Sequence, residues 1–290
     1  MKPSMRTLSL LFVLAVYALP SLAQPVQYKD IIYASPDGID LGLDIYLPEN
    51  ANMPPLIIRV HGGGWRFGSK DGGVPMEFVE NGYALASLDF RPATQAPFPA
   101  MVFDIKAAVR FLRANATDYG YDASRIVIMG DSSGAHLAQV VGVSNGQPEL
   151  EGTVGQSLDT SSNVQAIISY FGASDLTTIL SQSTPFGLGV REPSLELLLG
   201  ALPDENEALA KLASPVTLVD ENDPPLLLLH GDRDPQMPIN QSLQMLGAYK
   251  ALSLDVTFDP VHGAVHGGPQ FFDDEHLATA LDFLARTVGH

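Results

Sequence analysis

Apolar residues in this chain fall into two alternating kinds of segment. Short aliphatic and β-branched runs occupy 28–33, 41–47, 56–60, 83–89, 126–129, 166–171, 226–230 and 255–258, and in 41–47 every second position is apolar. Between them run longer stretches with a period near 3.6. In 101–115, Val102, Ile105, Val109 and Leu112 share one face, the spacing of a helix that covers a sheet. Segments 135–143, 240–251 and 273–286 fit the same template. Strands alternating with helices predict an α/β architecture: an eight-stranded, mostly parallel sheet flanked by helices. Pro36-Asp37-Gly38 supplies turn chemistry that joins the first two strands as an antiparallel hairpin.

One segment breaks the alternation. Residues 176–223 mix Ser, Pro, Gly and Leu clusters around a helix predicted at 195–202, and read as a small cap inserted over one end of the sheet. No internal repeat or linker divides the rest, so residues 24–290 are expected to form one domain. The N-terminus has the layout of a signal peptide: MKPSMR, an apolar run at 8–19, then Ser21-Leu22-Ala23. Cleavage is expected after Ala23, with export to a periplasm or the outside. The apolar run is shorter than the ~20 residues a bilayer span needs, so no membrane association is expected after cleavage.

Composition narrows the chemistry. The 290 residues are 46% hydrophobic and 17% charged, which excludes collagen-like and disordered classes. Lys and Arg number 16 against 33 Asp and Glu, a net charge of −17 that rules against nucleic acid as a partner. With no cysteine, thiolate nucleophiles, cysteine-ligated zinc and disulfides are unavailable.

The sharpest local signal is Gly130-Asp131-Ser132-Ser133-Gly134, directly after the strand at 126–129 and before the helical run from 135. Strand, sharp turn and helix are the context of a nucleophile elbow, with Ser132 exposed at the top of the sheet. A second signal is His61-Gly62-Gly63-Gly64-Trp65, again after an apolar strand. Glycines leave backbone N–H groups unobstructed, and acyl transfer needs such donors around its oxyanion, so Gly63 and Gly64 with Ser133 are the candidate oxyanion hole. Neither GxGxxG nor GxxxxGK fits this loop, which argues against a nucleotide cofactor. An acid and then a histidine should follow the serine. Asp232 and Asp234 lie after the strand at 226–230, and His262 and His266 after that at 255–258. The two histidines have H-x-x-x-H spacing, but the glycines at 263, 267 and 268 indicate a loop rather than a helix, so no metal is expected. His136, one helical turn after Ser132, and His61 read as structural residues. Asp131 reads as a brace for the turn, paired with Arg91 or another base.

HGGGW at 61–65, DFRPATQAPFPA at 89–100, GDSSGAHLA at 130–138, HGDRDPQMP at 230–238 and GAVHGG at 263–268 together resemble the α/β-hydrolase superfamily. Within it they are similar to hormone-sensitive-lipase-type carboxylesterases and to secreted acetyl- or feruloyl-esterase-like enzymes. The resemblance implies an α/β-hydrolase fold with Ser132 as nucleophile, Asp234 as the triad acid and His266 as the base. Trp65, the only tryptophan, reads either as a wall of the site that touches substrate or as a packing residue. Two departures matter: the first pulls toward the acetyl- or feruloyl-esterase-like group, the second implies a comparatively open site. The segment after Arg91 lacks the Leu-Ala-Pro-Glu usual in the lipase-type family, and the mature chain begins almost at its first strand, so its cap must come from 176–223.

The expectation is a serine carboxylesterase without a cofactor, acting on small-molecule or polysaccharide-linked esters. The rivals are an amidase or formamidase, a prolyl-oligopeptidase-like peptidase, and a non-catalytic binding protein on the same fold.

Overall fold

The computed structural model describes residues 26–49 and 51–289; the expected signal peptide lies outside the described residues. Eight strands form one sheet: β1 (Val26–Ala34), β2 (Leu41–Leu47), β3 (Pro55–Val60), β4 (Ala84–Leu88), β5 (Asp122–Asp131), β6 (Ala166–Tyr170), β7 (Leu226–Gly231) and β8 (Val256–Val261). Their order is β1-β2-β4-β3-β5-β6-β7-β8. Only the β1·β2 and β2·β4 pairs are antiparallel, so the hairpin hands over to a parallel sheet through β4, not through β3.

Helices cover both faces: α1 (Met76–Glu80), α2 (Ala100–Ala114), α3 (Ala116–Tyr119), α4 (Ser133–Val143), α5 (Pro148–Glu151), α6 (Ile179–Gln182), α7 (Pro185–Leu199), α8 (Glu207–Leu212), α9 (Asn240–Ala251) and α10 (Asp274–Thr287). Successive strand residues point to opposite faces. In β3, Leu56 and Ile58 therefore pack toward Val102 and Ile105 of α2 and Leu137 of α4, while Ile57 faces Phe78 of α1 and Phe283 of α10. With both faces covered, β3 and β7 are buried throughout, which is why PLIIRV and LLLLHG read as continuous runs rather than alternations.

The largest departure from expectation lies between β6 and β7. The helix predicted at 195–202 is α7, which begins ten residues earlier and ends at Leu199. Thr184 starts it by accepting from the Gly187 N–H, Pro185 occupies a first-turn position that needs no donor, and Gly200 ends it in the left-handed conformation. Gly187, Gly189 and Pro193 obscure the pattern, yet Arg191, Ser194, Leu195, Leu198 and Leu199 form a buried stripe at helical spacing and Pro193 lies on the exposed side.

Candidate active site

Ser132 stands between the end of β5 and the start of α4 with φ 54° and ψ −120°, a positive φ unusual for a residue with a side chain. The turn fits because two neighbours have no side chain. A Cβ on Gly130 would collide with the backbone of Gly134 and Ala135, and one on Gly134 with the carbonyls of Val60 and His61. The turn is thus pressed against β3, and the N–H of Ser132 donates to the Tyr170 carbonyl of β6 at 2.9 Å.

The loops after β7 and β8 meet Ser132 from the other side. They are joined to each other by backbone bonds from Asp232 N–H to Val261 O and from Arg233 N–H to Ala264 O. His266 Nε2 lies 2.8 Å from Ser132 Oγ, and His266 Nδ1 lies 2.6 Å from Asp234 Oδ2. An ionised carboxylate only accepts, so Nδ1 carries the proton and Nε2 is free to accept from the serine hydroxyl. The other Asp234 oxygen accepts the N–H groups of Gln236 and Met237, both at 2.8 Å. Burial pushes this carboxyl up, but contacts with His230 and His266 and the Met237 N–H outweigh it and hold Asp234 well below the usual carboxylate range. It is therefore ionised throughout the neutral range.

The remaining candidates sort themselves by geometry. Asp232 and His262 pair with each other at 3.0 Å on the surface, where the His262 side chain is 84% exposed. His61 is buried against Phe90 and donates from Nδ1 to the Gly62 carbonyl. Burial lowers its pKa, so it is a neutral brace for the glycine loop. Asp131 accepts from the Gly62 N–H and from Arg59, not from Arg91; Arg91 is committed to Asp104 and Asp37. For Trp65 the structure takes the packing alternative. It is 1% exposed, and its indole points inward to His136 because its N–H finds its acceptor there, so its side chain anchors the loop rather than walling the site.

Gly63 and Gly64 line a cleft of about 340 Å³ with Arg66, Phe67, Ser132, Val190, Gln236 and His266. Ser133 is the first residue of α4, where helix geometry leaves N–H groups without intrahelical acceptors. Ser132, Gly63 and Gly64 thus border the same space, with Ser133 next in the chain, an arrangement suited to attack on a carbonyl carbon with the oxygen held by N–H groups. Among the described residues no group of three or more His, Cys, Asp or Glu side chains is arranged to hold a metal.

Three participants escaped the sequence reading. Phe171, with φ 44°, sets its ring edge-on to His266 at 4.8 Å between centroids. His230 donates from Nε2 to the Met237 carbonyl and lies 3.6 Å from Asp234; its place inside HGDRDPQMP was the available signal. Arg191 of α7 reaches Gln236, and no motif marks it.

The BD-FAE family model matches residues 43–248, a span that runs from β2 into α9 and includes Ser132 and Asp234. The chain belongs to the BD-FAE family. This BD-FAE chain is 34% identical over 230 residues to esterase LipQ of Mycobacterium tuberculosis, covering 77% of this chain and 52% of LipQ. It spans about half the length of the curated relatives it matches. Among solved structures, a truncated carbohydrate esterase from gut microbiota superposes with a TM-score of 0.80 at 32% identity, covering 90% of this chain and 95% of that one. The esterase Est2 of Thermogutta terrifontis gives a TM-score of 0.73 at 26% identity, covering 89% and 91%, and has also been solved phosphonylated by sarin. The fold is that of the α/β-hydrolase esterases, as the motif resemblance implied.

Proposed function

We propose that this protein is a serine carboxylesterase. The observation that carries the reading is the unbroken path from Ser132 Oγ to His266 at 2.8 Å and from His266 to Asp234 at 2.6 Å, opening onto a glycine-lined cleft. Ser132 Oγ bonds to the ester carbonyl carbon while its proton passes to His266 Nε2. The oxyanion is held by N–H groups of Gly63, Gly64 and Ser133, and Asp234 stabilises the imidazolium. Collapse expels the alcohol, which takes the proton from His266. Water, deprotonated by the same imidazole, then attacks the acyl-enzyme, and release of the acid restores Ser132.

A cleft of about 340 Å³ is near the lower end of small-molecule sites, which favours a short acyl group such as acetyl over a long chain. Phe67, 64% exposed beside Arg66 at the cleft, supports an aromatic or sugar-bearing substrate, and polysaccharide-linked acetyl or feruloyl esters fit that description. The segment 176–223, which contributes Val190 to the cleft wall, is the cap. We assign residues 1–23 as a signal peptide and the mature protein to the periplasm or the medium, on the charged, apolar and small-residue pattern of the N-terminus.

The test is hydrolysis of p-nitrophenyl acetate, butyrate and a long-chain ester, with methyl ferulate and acetylated xylan, by wild type beside Ser132→Ala. Serine-dependent turnover biased to short acyl groups is expected. Equal inertness of both proteins on every ester would overturn the reading and move the question to formamide and peptide substrates. The intact mass of exported protein tests cleavage after Ala23.

A further inference from the structure

The side chain of Arg191, on α7, is buried, and two of its nitrogens, Nε and Nη1, have no hydrogen-bond partner. Its third, Nη2, donates to the Gln236 carbonyl at 3.0 Å. Seven residues earlier, at the N-cap of the same helix, the Thr184 hydroxyl donates to the Pro235 carbonyl at 2.7 Å. Between them Gly187 lets the helix close on this strip: a Cβ there would come within 3.2 Å of Gln236 O and 3.3 Å of Pro235 O.

These two carbonyls are not arbitrary. The Pro235 carbonyl belongs to the peptide group whose N–H is that of Gln236, and the Gln236 carbonyl to the one whose N–H is that of Met237. Both N–H groups donate to Asp234 Oδ1. Each peptide unit is therefore held at both ends, by α7 at its oxygen and by Asp234 at its nitrogen, and hydrogen bonds in such a chain polarise one another.

We propose that Arg191 and Thr184 are positioning residues for Asp234, holding and polarising the two peptide groups that keep its carboxylate ionised and aimed at His266. The inference rests on the serine-hydrolase reading of the site, and it gives the inserted segment a second role beside walling the cleft. Burial lowers the Arg191 pKa to about 10 while Asp234 opposes that shift, so the guanidinium is cationic at neutral pH and senses the carboxylate. Asp234 is faced by His230 from β7, by His266 from the loop after β8 and by Arg191 from α7. His266 also faces Ser132, and Asp131 and Arg66 border the same cleft. Among these, Arg191 is the fully buried cation. Deleting it removes a positive charge that opposes proton uptake at the triad and weakens the polarisation of the Gln236–Met237 peptide, and both changes ease proton uptake by the coupled Asp234–His266 pair.

The experiment compares Arg191→Met, Arg191→Lys and Thr184→Val with wild type in two readouts between pH 5 and 9. One is kcat and KM on p-nitrophenyl acetate; the other is the rate of Ser132 phosphonylation by a fluorophosphonate, followed by intact mass. For Arg191→Met, kcat and the phosphonylation rate should fall on the order of ten-fold, well short of the ~10⁴-fold that a wrong imidazole tautomer costs, with KM little changed. The acid limb of both profiles should move to higher pH, Arg191→Lys should recover part of the loss, and Thr184→Val should show a smaller fall in kcat. Unchanged rates and profiles in Arg191→Met, a loss confined to KM, or no recovery by lysine would overturn the proposal. If Arg191→Met does not fold, Arg191→Lys and Thr184→Val decide it by the same two readouts, and wild-type behaviour of both overturns it. A wild type that is phosphonylated but turns over no ester would refute the esterase reading while the labelling rates still test Arg191; one that does neither overturns both.

Discussion

The indole N–H of Trp65 donates to Nδ1 of His136 at 3.0 Å, tying the glycine loop after β3 to the helix that begins beside Ser132. His136 Nε2 in turn donates to the Ala213 carbonyl, so the imidazole is fully used as a neutral bridge between three parts of the chain. The loop that presents Gly63 and Gly64 is thereby registered to the turn that presents Ser132. Neither partner is available to touch substrate.

That bridge makes folding stability depend on pH. Burial lowers the His136 pKa from 6.5 to about 4, against the Ala213 bond, which raises it. Above pH 6.5 both folded and unfolded chains hold the imidazole neutral. As pH falls from 6.5 to 4 the unfolded chain gains a proton that the folded one refuses, so stability declines across this window, by up to about 3 kcal/mol. Urea unfolding at pH 7.5 and pH 4.5 should reveal the loss, and His136→Gln should flatten this part of the slope. A wild-type slope retained in His136→Gln would assign it to other groups.

Two glycines should respond in opposite senses. Gly130→Ala drives a methyl group into the Gly134 backbone, which cannot yield without opening the turn, so several kcal/mol of destabilisation or insoluble protein is expected. Gly189, in the exposed part of α7, has open space around its Cβ position. Gly189→Ala should stabilise by about 0.5–1 kcal/mol through helix propensity and a less mobile unfolded chain, seen as a rise in Tm.

The two acidic residues on the loop after β7 should separate cleanly in kinetics. Asp234→Asn removes the acceptor that fixes the His266 tautomer, and kcat on p-nitrophenyl acetate should fall by up to ~10⁴-fold. Asp232→Asn alters exposed contacts with His262 and the Gly263 N–H, away from Ser132, and should leave kcat within about two-fold. The same contrast is expected between His266→Ala and His262→Ala. A comparable loss in both members of either pair would count against the assigned triad.

Arg91 grips the buried Asp104 of α2 through two nitrogens, at 2.9 and 2.8 Å, and reaches Asp37 with a third. Burial pushes the Asp104 carboxyl up while these bonds pull it down. Arg91→Met would strand the carboxylate and should cost about 3–5 kcal/mol. Arg91→Met with Asp104→Leu should recover most of it. If the double variant unfolds as readily as the single one, the pair is not the source of the loss.

What the sequence alone determined was local. The runs that became β3 and β7 are apolar because a parallel strand is covered on both faces. The Gly130-to-Gly134 turn is legible because its glycines answer to backbone a few residues away and to the neighbouring strand. Motif resemblance carried the reading further, to Asp234 and His266. Only the tertiary structure decided what depends on direction. Asp232 and Asp234 are two residues apart on one loop, and the turn that gives Asp234 the N–H groups of Gln236 and Met237 is what aims its other oxygen at His266. Trp65 lies beside the glycines in sequence but faces inward, because its N–H requires an acceptor and His136 provides it. The start of α7 and the role of Arg191 were hidden, since Gly187, Gly189 and Pro193 read as breakers and the partner of that arginine lies 45 residues away. Contacts at such separation leave no periodic trace along the chain, and only folding brings them within a hydrogen bond.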